Sequence, residues 1–396
     1  MMLTVEHCRI VSPGTDIPDG SLCLENGRIT YAGPARPAVP GGTIIDGTGL
    51  IAVPGFVDIH SHGRSGHDFC DASLEAFTAI GRGKLQDGVT SFLATSLSVA
   101  DTDLRQFCHA AKAYSESVHD GATLLGIHLE GPFFPASCAG AQNPAFLKNP
   151  DIALVDELNA IFPIKKVSYA PELPGGMEFT QALVQRGIMP SGAHSEADYQ
   201  CFRQHYQAGM RHLTHFCNVM TPLHHLRFGM VGGGLTSREV WVEIICDGVH
   251  LCDEMIQLIA QLKGADRIML ITDAMRASAQ PDGEYSLGGL PVTVKNGKAT
   301  LHTGQVAGST LRYFAGLQRL LRVTGLPLSE AIKGTSLNQV RSLDLGKRGI
   351  LEPGYSADIT ILDQTLTPQM TICDGVLKWS RNDLPRPQNN ISDKRM

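Results

Sequence analysis

The 396-residue chain has only two tryptophans, no excess of basic residues and no long apolar run. Lysine and arginine total 33 against 39 aspartates and glutamates, which gives a net charge of −6 at pH 7. A protein that follows the nucleic-acid backbone needs a basic face, so the composition argues against nucleic acid as a partner. No stretch approaches the ~18 consecutive apolar residues of a membrane span, so no membrane partner is predicted either.

The ten cysteines form no CxxC pair, and their spacing fits no disulfide framework. We expect free thiols in a reducing compartment. The first residues lack a basic segment followed by an apolar one, so no signal peptide is predicted. Hydrophobic residues make up 43% of the chain and charged residues 18%, which is typical of a folded globular protein. The sequence thus predicts a soluble cytoplasmic protein.

The pattern along the chain separates two β-rich ends from a long middle segment. Residues 1–53 read as short strands broken by turns, with a hairpin signal at Asn26-Gly27. Short strands return over residues 349–384, and we predict that both ends pair into one small β-sandwich domain. Residues 385–396 are polar and rich in proline and asparagine, and are predicted to form a flexible tail.

The middle segment, residues 54–348, alternates short apolar runs with helical stretches such as 101–117. Repeated βα units have this signature. Eight such units fit an α/β fold of the (β/α)8 type, a TIM-like barrel, better than an open sheet. The predicted strands span residues 55–60, 89–95, 123–130, 166–171, 188–194, 211–215, 242–247 and 267–273.

The strongest local signal for chemistry is His60-Ser61-His62, which follows the apolar run PGFVDI. In an extended segment, residues i and i+2 face the same side, so both imidazoles can reach one metal ion. Taken alone, such a pair is more often a surface or loop feature than a metal site. This pair ends the first predicted strand, however, and barrels of this kind build their active sites at strand ends.

Other predicted strand ends carry the same kinds of residue. Six of the eight ends, or the turns that follow them, hold His, Glu or Asp, namely His60 with His62, Glu130, His194, His215, His250 and Asp273. Each has an ordinary explanation, such as a helix cap for Asp273 or a core position for a histidine. For the pattern to be accidental, all these explanations would have to hold at the same time. The strand ends of a barrel also converge on one centre, so these side chains should lie close together. We therefore predict a metal centre there.

These segments resemble motifs of the amidohydrolase superfamily. The matching stretches, in order, are PGFVDIHSHG, HLEGPF, SGAHSE, LTHFCNVM, DGVH, LITDAM and AGSTL. HLEGP, DGVH and TDAM together are similar to the N-acetylglucosamine-6-phosphate deacetylases and their N-acetylgalactosamine-6-phosphate relatives. The resemblance implies a metal-dependent hydrolase that removes the acetyl group from an N-acetylhexosamine 6-phosphate and releases acetate.

The resemblance also implies which residues hold metal. Glu130, His194 and His215 match the family's ligands, and the full predicted set is His60, His62, Glu130, His194, His215 and Asp273. One or two divalent ions are expected, zinc first, with iron, manganese, cobalt or nickel as alternatives. Many amidohydrolases bridge two metals with a carboxylated lysine. Here Lys165 and Lys166 come too early in the fourth strand, so Glu130 is expected to bridge.

Two residues are expected to carry the chemistry of such an enzyme. An acetamide is a poor electrophile with a poor leaving group, so the reaction needs an activated water and a proton for the amine. Asp273 would take a proton from the water and pass it to the amine. His250 would bind the substrate and donate a hydrogen bond to the carbonyl oxygen as charge develops there.

Further matching positions imply contacts with the sugar, and a homodimer is expected from the family. The predicted substrate-binding residues, besides His250, are Ala141, Asn218, Val219, Arg227, Val306, Ala307 and Gly308. The match departs from the family at the phosphate site, where Leu226 stands in the place of an arginine and Arg227 follows one residue late.

That departure leaves two other interpretations open. Leucine cannot make the bidentate contact of arginine with a phosphate. An unphosphorylated amino sugar or another N-acyl compound is therefore the alternative substrate. A non-catalytic barrel scaffold is a more remote alternative, because the chain keeps every expected ligand.

Overall fold

Two large β-sheets organise the chain, which a computed structural model describes over residues 2–36 and 42–381. One sheet is a ring of eight parallel strands, and the other joins strands from both ends of the chain. The predicted fold class, a (β/α)8 barrel with a second β unit, is confirmed. The residue boundaries of the two domains stay predictions, and the tail predicted over 385–396 lies outside the described residues.

The barrel strands follow one another around the ring, each parallel to the next. They span Phe56–Asp58, Val89–Thr95, Thr123–Glu130, Ile164–Tyr169, Met189–Gly192, His212–Leu213, Trp241–Ile244 and Ile268–Leu270. A parallel bridge between Ser61 and Ala274 completes the ring. Close by, the backbone amide of Asp273 donates to the carbonyl oxygen of His60 at 2.9 Å.

Three barrel strands were predicted to end at a candidate metal ligand. In the structure, each of these strands ends two or three residues earlier. These ligands, His194, His215 and Asp273, have φ angles of 46°, 31° and 49°. Left-handed backbone is uncommon for residues other than glycine, and it concentrates at functional sites. Such a φ interrupts the extended chain, so strand pairing stops early and the ligands lie on the turns that follow.

Ten helices of the described residues surround the barrel or connect its parts. They span Leu74–Leu85, Asp101–Ser117, Ile152–Ile161, Gly176–Gln185, Tyr199–Gln207, Gly229–Thr236, Asp253–Lys263, Tyr313–Thr324, Leu328–Ala331 and Leu337–Leu343. Side chains of Ser73, Asp151 and Asp198 accept bonds from first-turn amides and so fix the starts of three of them. None of these ten helices could span a membrane.

The sheet built from both chain ends, called here the end sheet, contains eight strands. They span Met2–Ser12, Thr15–Glu25, Arg28–Pro34, Thr43–Asp46, Ile51–Pro54, Ile359–Leu362, Pro368–Cys373 and Val376–Ser380. The ends meet where Ile51–Pro54 pairs antiparallel with Ile359–Leu362. The predicted hairpin is present, with φ of 49° at Asn26 and 74° at Gly27.

A third sheet was missed in the sequence. Its three antiparallel strands, Gly283–Leu287, Leu290–Lys295 and Lys298–Leu301, lie between the last barrel strand and the next helix. The two-residue turns Gly288-Gly289 and Asn296-Gly297 have positive φ and are ordinary hairpin signals. The sheet packs against the barrel mouth and brings Leu287 to the wall of the cavity described below.

Candidate metal centre and active site

Six buried side chains meet at the carboxyl ends of the barrel strands as two adjoining groups of three. One group is His60, His62 and Asp273, and the other is Glu130, His194 and His215. Within each group, one ligand atom from every residue lies within 4.8 Å of the others. The structure thus brings together all six residues predicted as metal ligands.

Glu130 lies between the two groups. Its Oε1 atom is 3.2 Å from Nε2 of His215 and 3.4 Å from Nε2 of His60, while Oε2 is 3.1 Å from Nε2 of His62. The side-chain amide of Gln142 donates to Oε2 at 2.9 Å and steadies the carboxylate. Glu130 therefore contacts residues of both groups. Gln142 was not singled out in the sequence.

The electrostatics of these groups fit a bound cation. Burial works against protonation of His60, but the charges of Glu130 and Asp273 outweigh it and raise the pKa of His60 to about 9. Two atoms that face the centre, Nε2 of His60 and Oε1 of Glu130, have no hydrogen-bond partner. Unpartnered nitrogen and oxygen atoms beside two buried carboxylates are a donor set that suits a divalent metal ion.

Asp273 reaches the same space from the turn that follows the last barrel strand. Its Oδ1 atom lies 3.2 Å from Nε2 of His62 and 3.4 Å from Nε2 of His60. Burial favours the neutral acid, but the positive charges of His60 and His62 outweigh it and lower the pKa of Asp273. The carboxylate is therefore ionised at neutral pH and able to accept a proton.

His250 is held by a residue of its own motif. Nδ1 of His250 lies 2.7 Å from Oδ2 of Asp247, whose other oxygen accepts from the backbone amides of Val249 and His250. Burial works against protonation, but the hydrogen bond and charge of Asp247 raise the pKa of His250. A protonated ring can bond Asp247 through Nδ1 and still offer Nε2–H to a substrate. Asp247 was given no role in the sequence, although it stands in DGVH.

The two groups open onto a cavity of about 170 Å³. Most of the residues predicted to bind substrate line it, namely Ala141, Asn218, Val219, His250, Val306 and Gly308. Leu97 and Leu287 add apolar surface to the wall. Ala307 is completely buried and is not among the residues that line the cavity.

Arg227 is placed away from the cavity wall. It belongs to an exposed loop in which the backbones of His224 and Arg227 bond each other in both directions, at 3.0 and 3.1 Å. This tight turn directs the tip outward, and Leu226 is 78% exposed. No lysine or arginine stands among the cavity-lining residues of the described chain. The predicted contact of Arg227 with a phosphate is therefore not built into the wall.

Comparison with known proteins places the barrel and its centre in a family. The chain matches the amidohydrolase family over residues 51–378, which includes every barrel strand and all six candidate ligands. The chain therefore belongs to the amidohydrolase family.

Relatives within the family share most of their length with this chain. An N-acetylglucosamine-6-phosphate deacetylase of Lysinibacillus sphaericus is 36% identical over 86% of this chain and 88% of its own. An N-acetylgalactosamine-6-phosphate deacetylase of Escherichia coli O157:H7 is 34% identical, over 82% and 86%. The crystal structure of an N-acetylglucosamine-6-phosphate deacetylase from Thermotoga maritima superposes with a TM-score of 0.87 at 34% identity, over 96% and 100%. The resemblance predicted from the motifs is confirmed.

Proposed function

We propose that this protein is a metal-dependent hydrolase that removes the N-acetyl group from an N-acetylhexosamine 6-phosphate, giving the amino-sugar phosphate and acetate. The observation that carries the proposal is the pair of buried ligand groups opening onto one cavity, with Asp273 and His250 beside them. The relatives named above, all deacetylases of such sugar phosphates, support the substrate class.

The donor set fits one or two divalent ions. Glu130, His194 and His215 would hold the first, and His60, His62 and Asp273 the second, with Glu130 shared between them. Zinc is the metal we propose, because imidazole and carboxylate ligands in compact groups suit it. When bound, such an ion acidifies water and polarises an amide carbonyl.

The protein's own residues then divide the remaining work. The ionised carboxylate of Asp273 accepts a proton from the attacking water and delivers it to the amine nitrogen as the carbon–nitrogen bond breaks. His250, protonated and held by Asp247, donates from Nε2 to the carbonyl oxygen as negative charge develops there. The apolar wall formed by Leu97 and Leu287 limits the access of bulk water to the reacting atoms.

The absence of lysine and arginine from the described cavity wall favours a second candidate substrate. A phosphate is ordinarily recognised by charge-assisted bonds from basic side chains. An unphosphorylated N-acetylhexosamine needs no such partner, because it has no charge for a basic side chain to pair with. The deacetylation chemistry is the same in both cases, because it depends on the strand ends alone.

Acetate release from matched substrates tests both candidates. Steady-state kinetics would use N-acetylglucosamine and N-acetylgalactosamine, each with and without the 6-phosphate, on metal-loaded and chelator-treated protein. We expect acetate release only from the metal-loaded protein and a higher kcat/KM on a 6-phosphate. Equal values with and without the phosphate would establish the second candidate. No acetate from any of the four sugars would contradict the deacetylase proposal.

We further propose a cytoplasmic location and a homodimer. All ten cysteines are free, as expected for a chain kept in a reducing compartment. Leu223, Leu226 and Phe228 are exposed apolar side chains on one loop and support a protein–protein contact there. Sedimentation of the purified protein would test the dimer.

A further inference from the structure

The barrel interior contains a buried ion pair that the proposed mechanism does not use. Lys166 lies on strand Ile164–Tyr169, Glu243 lies on strand Trp241–Ile244, and neither side chain is exposed. The ammonium group of Lys166 bonds Oε1 of Glu243. Such interiors are usually packed with branched apolar side chains, and apolar residues of similar volume are often as stabilising as a buried ion pair. Stability alone therefore does not account for this pair.

The second oxygen of Glu243 faces a candidate metal ligand. Oε2 lies 3.1 Å from Nδ1 of His60 and 3.4 Å from the backbone nitrogen of His215. An ionised carboxylate only accepts hydrogen bonds. The His60 nitrogen that meets it must carry the hydrogen, so the lone pair of the neutral ring sits on Nε2.

Nε2 of His60 faces the candidate metal centre. It lies 3.4 Å from Oε1 of Glu130 and 3.4 Å from Oδ1 of Asp273, and it has no hydrogen-bond partner. The ring of His128 packs edge-on against His60, with centroids 4.6 Å apart, but both of its nitrogens bond hydroxyl groups. His128 therefore does not compete for Glu243.

The other three candidate histidines are held differently within the described chain. Nδ1 of His194 lies 2.8 Å from the carbonyl oxygen of Cys138, a neutral acceptor. Nδ1 of His62 and Nδ1 of His215 have no hydrogen-bond partner. Of the four candidate histidines, His60 has a carboxylate, that of Glu243, next to the ring nitrogen that faces away from the centre. This carboxylate is paired with Lys166.

We propose that Glu243 is a positioning residue that fixes the ring orientation and tautomer of His60, so that Nε2 presents its lone pair to the second metal position. Lys166 balances the charge of Glu243 and holds the carboxylate in place. The inference rests on the metal centre of the proposed function, and it adds two residues that lie beneath that centre. Carboxylates behind a ligating histidine typically affect metal affinity ten- to a hundredfold.

The role of Glu243 can be tested by measuring zinc binding to the metal-free protein with isothermal titration calorimetry. The main variant is Lys166→Met with Glu243→Leu, which removes both charges together and leaves no lone buried ion. We expect zinc affinity at the His60, His62 and Asp273 position to fall about ten- to a hundredfold, with the Glu130, His194 and His215 position changed less than about threefold. His60→Ala, which leaves only the first position complete, assigns the two binding steps.

Two further variants separate positioning from a general effect on the barrel. Lys166→Met with Glu243→Gln restores an oxygen that can accept from Nδ1 of His60, and it should recover part of the lost affinity. Ser191→Ala is the matched control, because Ser191 is buried in the barrel and bonds Thr214 at 2.6 Å. Zinc binding should not change in that control.

A double-mutant cycle completes the test. In the His60→Ala background, adding Lys166→Met and Glu243→Leu should alter zinc binding no further, because the ring they act through is gone. An unchanged second affinity in the folded main variant would overturn the inference, and so would equal weakening of both positions. If wild-type protein binds no zinc at either position, the metal centre of the proposed function is wrong as well. If zinc still binds but the Glu243 variants do not change its affinity, only the inference about Glu243 is wrong.

Discussion

The two sides of the candidate cavity are built in opposite ways. On the strand-end side, His60, His62 and Glu130 are at most 2% exposed, and each lies within 3.4 Å of another charged or ligating atom. The loop of residues 219–228, called here the loop wall, lines the cavity only at Val219; its side chains are mostly exposed, and Leu226 is 78% exposed. One wall is fixed by its own bonds, and the other faces solvent.

This difference separates reaction from recognition. The strand-end wall contains every group that the proposed chemistry needs, and several of these groups are held by a neighbour, such as Glu130 by Gln142 and His250 by Asp247. A preorganised set of this kind supports catalysis without rearrangement. The loop wall joins the strand ends at its start, where the backbone amide of Ser195 donates to the carbonyl oxygen of Val219 at 2.9 Å, and its exposed tip can be altered without touching the six candidate ligands.

Removing the first metal position should give the largest effect on the strand-end wall. We expect His194→Ala with His215→Ala to lose the ion of that position and all measurable acetate release, because two of its three candidate ligands are gone. Elemental analysis of the purified variant gives the metal content. His225→Ala, an exposed histidine on the loop wall, is the control and should keep its full metal content. Normal metal content in the double variant would contradict the ligand assignment.

The second-largest effect is expected from a substitution of the proposed proton acceptor, Asp273. Asp273→Asn preserves the shape of the side chain but removes the charge that accepts a proton, so kcat should fall about a hundred- to ten-thousandfold. The ion held by Glu130, His194 and His215 should remain, and metal analysis checks this. Wild-type kcat in metal-loaded Asp273→Asn would place the proton shuttle on another residue.

Much of the strand-end wall could be predicted from the sequence. The strands Val89–Thr95 and Thr123–Glu130 and the helix Asp101–Ser117 have the predicted bounds, because each is long and strongly patterned. Motif residues at strand ends were predicted to meet, since parallel strands of a barrel end at one rim. The ends themselves were misplaced at His194 and Asp273, because a left-handed residue leaves no mark in a hydrophobic pattern.

Other parts could not be predicted for physical reasons. The helix Gly229–Thr236 has the sequence GMVGGGLT, and glycine has poor intrinsic helix propensity. Its glycines allow close packing instead, since a Cβ on Gly234 would lie 2.5 Å from Leu213. Glu243 carries a signal that was overlooked, namely a charged residue inside an apolar barrel strand, but its contact with His60 spans 183 residues. Pairings over such distances are set by the folded barrel.

A substitution of Arg227, on the exposed loop of residues 219–228, should have the smallest effect of the three and compares this loop most directly with the strand ends. The side chain is exposed and lies outside the described cavity wall, so an Arg227→Ala variant should keep full metal content and the wild-type kcat/KM on unphosphorylated sugars. On a 6-phosphate we expect kcat/KM to fall by about tenfold, the lower end for a charge-assisted bond, because solvent weakens such a contact.

The control for this prediction is Arg203→Ala, which removes a cation from the helix Tyr199–Gln207. This variant should leave kcat/KM unchanged on both the phosphorylated and the unphosphorylated sugar. It therefore distinguishes an effect of net charge from a contact with the phosphate. A fall of a hundredfold or more in Arg227→Ala would mean that the loop closes over the substrate and that the loop wall is as well organised as the strand ends. Identical kinetics of Arg227→Ala and wild type on a 6-phosphate would mean that Arg227 does not bind the phosphate. The phosphate would then have to be recognised without a cation from this turn, and the apolar part of the cavity wall, Leu97, Leu287 and Val306, would favour the unphosphorylated sugar.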